Sequence, residues 1–143
     1  MNGKEEYYGY AGTILRVNLT KKEITKEPFP RQWMKRYIGG EAVAARILYD
    51  EVPPETPPLS PDNKVILSMG PLVGTLAPSS GRITLTTKSP ITEIYSDSNA
   101  GGQWGPEMKY AGYDHLILEG ASENPVYLWI DDDRVELRDA RHL

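Results

Sequence analysis

Two short stretches hold the side chains best suited to gripping a ligand: Ser79-Ser80-Gly81-Arg82 and Asp97-Ser98-Asn99-Ala100-Gly101-Gly102. Glycine lets the main chain approach a bound group closely and turn several N–H groups toward it. Arg82 offers a fixed fork of donors that fits phosphate or another planar anion. Asn99 donates and accepts through one amide, and asparagine tolerates tight loop conformations. Arg82, Asn99, Ala100, Gly101 and Gly102 therefore form a candidate cradle for a large, polar, anionic cofactor. Taken singly, each has a plainer reading. Arg82 suits the exposed start of a strand, and Asn99 with its glycines suits a tight turn.

No self-contained catalytic set accompanies them. The chain has no Cys, so it can build neither a disulfide nor a thiolate-ligated zinc or iron–sulfur site. Its two His, His115 and His142, cannot make a multi-histidine metal site or a persuasive Ser-His-Asp set. Gly70-Pro-Leu-Val-Gly-Thr75 carries glycines but lacks the lysine of a phosphate loop, and no dinucleotide fingerprint is present. Asp50 and Glu51 read as solvated charge at a helix end, Glu107 and Asp114 as cap or surface carboxylates, and Lys88 as a solvated loop lysine. Asp131-Asp132-Asp133 reads as a hairpin turn. No general acid or base is assigned.

The elements that must position the cradle follow from periodicity. Alternation predicts strands at 14–19 and, after a polar turn, 24–27. Residues 31–38 and 41–51 have helical spacing, the first with Trp33, Met34, Tyr37 and Ile38 on one face, the second with Ala44, Ile47 and Leu48 inward. Pro53-Pro54 ends the second helix. An apolar strand is expected at 65–69 and another strand at 82–87, followed by an irregular stretch from Lys88 to Gly102. One or two helical turns over 104–111, a strand at 115–119 and a hairpin from 126 to 137 complete the chain. The fold class is α+β: a β-rich domain of short, mainly antiparallel strands with helices between residues 31 and 51. Thirteen Gly and twelve Pro among 143 residues favour turns, and 39% hydrophobic content supports one core. A net charge of −4 and no basic stripe argue against nucleic acid. No apolar run reaches the ~20 residues of a membrane span, and the first ten residues lack the apolar core of a leader, so a cytoplasmic protein is expected.

Read in order, the segments resemble one family: Tyr8-Gly-Tyr-Ala-Gly-Thr-Ile-Leu-Arg-Val-Asn-Leu19, Tyr37-Ile-Gly-Gly40, Leu59-Ser-Pro-Asp-Asn-Lys64, Gly70 to Thr75, Ala77-Pro-Ser-Ser-Gly-Arg82, Thr87-Lys-Ser-Pro90, Asp97 to Gly102 and Gly105-Pro-Glu-Met-Lys-Tyr-Ala-Gly-Tyr-Asp114. They are similar to the N-terminal, pterin-binding domain of tungsten-dependent aldehyde:ferredoxin oxidoreductases. The resemblance implies a tungsten (or molybdenum) bis-pterin cofactor lying on a β-rich base. It implies cofactor contact by Arg82, main-chain contact by Gly101, and a part for Asn99 in binding a magnesium ion that bridges the pterin phosphates. Ala100 and Gly102 support that main chain. The activity implied is oxidation of aldehydes to carboxylic acids, with electrons passing through a [4Fe–4S] cluster to ferredoxin.

Two positions depart from the family pattern: Glu41 stands where Arg is frequent, and Ala100 where Ser is frequent. The family's second glycine-rich loop and its cluster-binding cysteines are absent. Residues 1–143 are therefore expected to form one incomplete cofactor-binding domain, inactive alone, partnered by the rest of the enzyme and oligomeric. Two other readings stay open: a scaffold-like domain that binds no cofactor, and a subunit of a related tungsten enzyme acting on an aromatic thioester.

Overall fold

A computed structural model describes residues 8–143; the first seven residues, on which the expectation about a leader rests in part, lie outside the described part. Its elements are β1 (Thr13–Asn18), β2 (Glu23–Pro28), α1 (Arg31–Tyr37), α2 (Gly40–Glu51), β3 (Lys64–Met69), β4 (Ile83–Lys88), β5 (Tyr95–Ala100), α3 (Trp104–Tyr110), β6 (His115–Glu119), β7 (Val126–Asp131) and β8 (Arg134–Asp139). Six strands form one sheet in the order β2-β1-β6-β3-β4-β5, and β7 with β8 forms a separate hairpin. Among the described residues every pairing is antiparallel except β1 with β6. The α+β expectation of a β-rich, mainly antiparallel domain holds.

The sheet is covered on both faces, which is why its central strands read as continuous apolar runs. Ile14, Ile66 and Ile117 face α1 and α2, where Met34, Val43, Ala44, Ile47 and Leu48 complete one core. Leu15, Val17 and Leu116 face the other way, toward Met108 of α3 and Leu128, Ile130, Val135 and Leu137 of the β7–β8 hairpin. Side chains such as Ile47, Ile66 and Ile117 are essentially inaccessible, and each is worth ~1.5–3 kcal/mol in removal from water.

Four expectations are corrected. The stretch from Lys88 to Gly102 is not irregular: β5 occupies Tyr95–Ala100, paired along its length to β4. Ile38 does not join the apolar face of α1. It caps the helix at φ 65 and is exposed, a strained backbone for a β-branched residue. Lys88 is not a solvated loop lysine. It is buried, and its ammonium donates to the carbonyls of Pro54 and Thr56, which holds the proline-rich loop against β4. Asp114 is not a surface carboxylate. It is fully buried, accepts from the N–H groups of Ala11 (3.1 Å) and Gly12 (2.6 Å), and pairs with Lys109 of α3. A buried charge persists only where partners replace its water, and here three donors do so.

A second charged group ties the far end of the sheet. Arg16 reaches Glu27 (2.7 Å), Glu51 (2.8 Å) and Glu119 (3.2 Å), and Lys64 pairs with Glu119 as well, so Glu51, expected as solvated charge at a helix end, is a fifth correction: it is ion-paired. Burial alone would raise the Glu51 and Glu119 carboxyls. Hydrogen bonds from Arg16 and Lys64 outweigh it and hold both below their ordinary range.

Candidate functional site

The candidate residues meet at one end of the β4–β5 ladder. Its last pair is Ile83 opposite Ala100. Arg82 and Gly101 therefore stand one residue beyond the ladder on facing strands. The approach is tight: a Cβ on Gly81 would lie 2.8 Å from the carbonyl oxygen of Gly102. Only glycine fits there, so the two polar loops are brought together by a requirement of packing as well as by pairing.

On the outer side the situation reverses. A Cβ added to Gly101 or Gly102 would meet nothing within 4 Å, and Gly102 has φ +110. The main chain at this end is bare and open to solvent, and the Arg82 side chain beside it is exposed. Ala100 is exposed as the last residue of β5. Arg82, Ala100, Gly101 and Gly102 thus form an open edge that combines a guanidinium with accessible backbone. That arrangement can receive a planar or phosphate-bearing anion. Four clefts of about 440–590 Å³ are lined by other residues.

Asn99 is placed with the others but uses its side chain inwardly. Its amide carbonyl accepts from the Thr84 hydroxyl at 3.1 Å, and its amide nitrogen donates to Asp97 Oδ2 at 3.1 Å. Register explains this: Thr84 lies directly opposite Asn99, and Asp97 is two residues back on the same face. Sequence reading singles out neither Thr84 nor Asp97 as a partner of Asn99. The available signal is the alternation Ser-Asp-Ser-Asn, which places Asp97 and Asn99 on one face once a strand is allowed there.

The floor beneath the loops is α3. Gly105 packs so closely that a Cβ would sit 2.6 Å from Ile83 Cγ2 and 3.2 Å from Val73 Cγ1. Gly74 likewise abuts Lys109 and Tyr110. The glycines at 74, 81 and 105 therefore let the 70–81 loop, β4 and α3 close on one another behind the open edge. Glu41 lies at the start of α2 and accepts a hydrogen bond from the Tyr95 hydroxyl at 2.9 Å. Partial burial and that carboxylate push the Tyr95 hydroxyl up to about 12. Glu41 therefore ties helix to edge strand here. Glu107 is exposed and makes no contribution to this edge beyond its place in α3.

The comparisons with known proteins agree with one another. Residues 14–143 match the model of the aldehyde ferredoxin oxidoreductase N-terminal domain. The chain is 46% identical over 136 residues to the tungsten-containing aldehyde ferredoxin oxidoreductase of Thermococcus kodakarensis. It is 43% identical to that of Pyrococcus furiosus. In each case the match covers 95% of this chain and 22% of the relative, so the chain spans about a fifth of the curated relatives' length. A solved structure, the active site complex BamBC of benzoyl coenzyme A reductase with 1,5-dienoyl-CoA, superimposes with a TM-score of 0.93 at 44% identity. That alignment covers 94% of this chain and 21% of the other. With a matching family model over nearly the whole chain and relatives at this identity, the chain belongs to the aldehyde ferredoxin oxidoreductase N-terminal domain family.

Proposed function

We propose that this domain is the base on which a tungsten bis-pterin cofactor lies, in an oxidoreductase that converts aldehydes to carboxylic acids and delivers electrons to ferredoxin. The observation that carries the reading is the open edge beside Arg82, where Gly101 and Gly102 leave main chain with nothing within 4 Å of their missing side chains. The fit is chemical. A pterin cofactor carries phosphate and a polar ring system, which call for a guanidinium and backbone donors. Arg82 would hold the anionic part. Ala100, Gly101 and Gly102 would lie along the ring system. Asn99 would help hold the cofactor's magnesium ion, which would offset phosphate charge. The metal supplies the redox chemistry, and this chain's residues supply orientation and charge.

The remaining parts of such an enzyme lie beyond these residues. A [4Fe–4S] cluster needs thiolates, which this chain lacks. The substrate pocket, the ferredoxin contact and any oligomer interface are assigned to the partner portion, in a cytoplasmic enzyme. A second reading keeps the cofactor and changes the substrate. The 44% identity to the BamBC complex lies between the 43% and 46% found for the aldehyde enzymes, which supports a tungsten subunit acting on an aromatic thioester as the alternative.

The test is tungsten and pterin content, measured on this chain alone and on the enzyme that contains it, from a host that makes tungstopterin. Tungsten with two pterins in the complete enzyme supports the reading; neither metal nor pterin in either preparation leaves a scaffold-like domain. Arg82→Ala is expected to weaken pterin retention roughly tenfold or more, as removal of one charge-assisted contact of ~1.5–3 kcal/mol would, with the fold intact. Unchanged metal content in that variant would sink the assignment. Turnover of aldehydes against aromatic thioesters separates the two substrates.

A further inference from the structure

Beyond its backbone ladder with β4 and the hydrogen-bonded turn at 89–94, the strand that delivers Asn99 to the site has few side-chain anchors to hold it in register. β5 is an edge strand, bonded on one side only to β4. Its sequence, Tyr-Ser-Asp-Ser-Asn-Ala, places no aliphatic anchor larger than alanine on either face, and five of its six residues are exposed. Strands that are polar on both faces slip easily, because no buried stripe penalises a shift. Yet a shift here is not tolerable. The Gly102 carbonyl comes so close that a Cβ on Gly81 would lie 2.8 Å from it, so the residue facing that carbonyl must be glycine, and a slip would set Ser80 or Arg82 there instead.

The polar side chains on the α2-facing side of the β4–β5 pair answer this need. Thr84, itself buried, donates to the Asn99 amide at 3.1 Å, and that amide donates to Asp97 at 3.1 Å. Tyr95, on the same face, reaches Glu41 of α2. A two-residue slip would bring Asp97 opposite Thr84 and carry Tyr95 away from Glu41. A one-residue slip would turn every one of these groups to the opposite face.

We propose that Thr84 and Asp97 are positioning residues for the cofactor. Thr84 holds the Asn99 amide across the ladder, while Asp97, on Asn99's own strand, fixes which way that amide points so that its carbonyl meets Thr84; together they secure the pairing that sets Ala100, Gly101 and Gly102 beside Arg82. The inference rests on the reading of this edge as the pterin seat. The clamp makes Asn99 a spacer as well as a binder: each end of its amide makes one bond within the sheet and keeps one further hydrogen-bonding position.

The experiment compares Thr84→Val, Thr84→Ser, Asp97→Ala, Asp97→Asn and Arg82→Ala in the tungsten enzyme that contains this chain. Three readouts are taken from each preparation: tungsten and pterin retained after gel filtration, melting temperature, and deuterium uptake of the peptide spanning 95–104. Thr84→Val and Asp97→Ala are expected to lower retention about two- to fivefold, the scale of one lost hydrogen bond of ~0.5–1 kcal/mol, and to speed exchange at Asn99 to Gly102. Melting temperature stays at the parental value, because the edge strand contributes little to the core. Thr84→Ser and Asp97→Asn keep a donor and an acceptor and restore both readouts. Retention and exchange unchanged in Thr84→Val and Asp97→Ala, while Arg82→Ala loses cofactor, overturns the clamp and leaves the seat standing. Full retention in Arg82→Ala as well removes the seat, and the clamp with it. If Thr84→Val fails to fold, Asp97→Ala decides, since Asp97 is exposed.

Discussion

His115 shows how far burial can move one side chain. It is fully buried, with Nδ1 at 3.0 Å from Ser68 Oγ and its ring edge-on to Phe29 at 4.9 Å between centroids. Its Nε2 has no hydrogen-bond partner among the described residues. Desolvation lowers its pKa to about 4; the Asp114 carboxylate pulls upward and the Lys109 ammonium downward. The folded state thus holds a neutral imidazole where the unfolded chain, near 6.5, takes up a proton. As pH falls through 6.5 the unfolded state gains protons that the folded state refuses, so stability drops progressively toward pH 4. The loss from this group approaches roughly 3 kcal/mol, because each pH unit between the unfolded and folded pKa values is worth about 1.36 kcal/mol. Unfolding free energies of wild type and His115→Leu between about pH 7 and pH 4.5 should converge or cross as pH falls; parallel curves would rule the effect out. Asp114 and Lys88 belong to the same scale. Both read as surface charges in the sequence because Asp and Lys are rarely buried, and only the three-dimensional supply of partners shows why these two are.

At the scale of elements, the glycines that bring the 70–81 loop, β4 and α3 together carry the most testable geometry. Gly105→Ala would drive a methyl to 2.6 Å from Ile83 and 3.2 Å from Val73, both in or beside the core. Overpacking of this sort costs ~1–3 kcal/mol. Denaturant unfolding should show a lower midpoint at constant slope, and an unchanged midpoint would mean that α3 shifts freely. Legibility in the sequence divides along the same lines. β1, β3 and β6 are readable because their alternating or unbroken apolar residues serve two cores. α2 is readable because Ala44, Ile47 and Leu48 share a helical face. β5 is not, since Ser96, Asp97, Ser98 and Asn99 carry no hydrophobic signal and its strand conformation comes from β4. The composition of the candidate site is visible as two polar, glycine-bearing loops, and their meeting is not. It depends on the Ile83–Ala100 register and on the Gly81–Gly102 contact, neither of which leaves a mark on either segment alone.

Across the whole molecule the surface is uneven. Leu76 and Ile91 are almost wholly exposed, at 104% and 91%, and Leu72, Ile94, Tyr49 and Tyr110 are exposed as well. Exposed apolar side chains on this scale are expected at surfaces that another protein covers. With a net charge of only −4 to oppose association, the isolated chain should self-associate at high micromolar concentration. Light scattering behind gel filtration reads this directly: Leu76→Asp with Ile91→Asp should shift it to monomer, and a monomeric wild type would show that these residues are tolerated in water. The strand order carries a different kind of consequence. β6 lies between β1 and β3 and joins the N-terminal hairpin to the β3–β4–β5 meander, although it follows both in sequence. On the ribosome, the two halves must wait for it. The segments bearing Arg82 and Asn99 to Gly102 emerge and can pair locally, but the sheet they belong to is joined to the N-terminal hairpin only when residues 115–119 arrive, long after β1. β6 acts as a late keystone, and the entropy of closing that long loop places its insertion among the slow steps of folding.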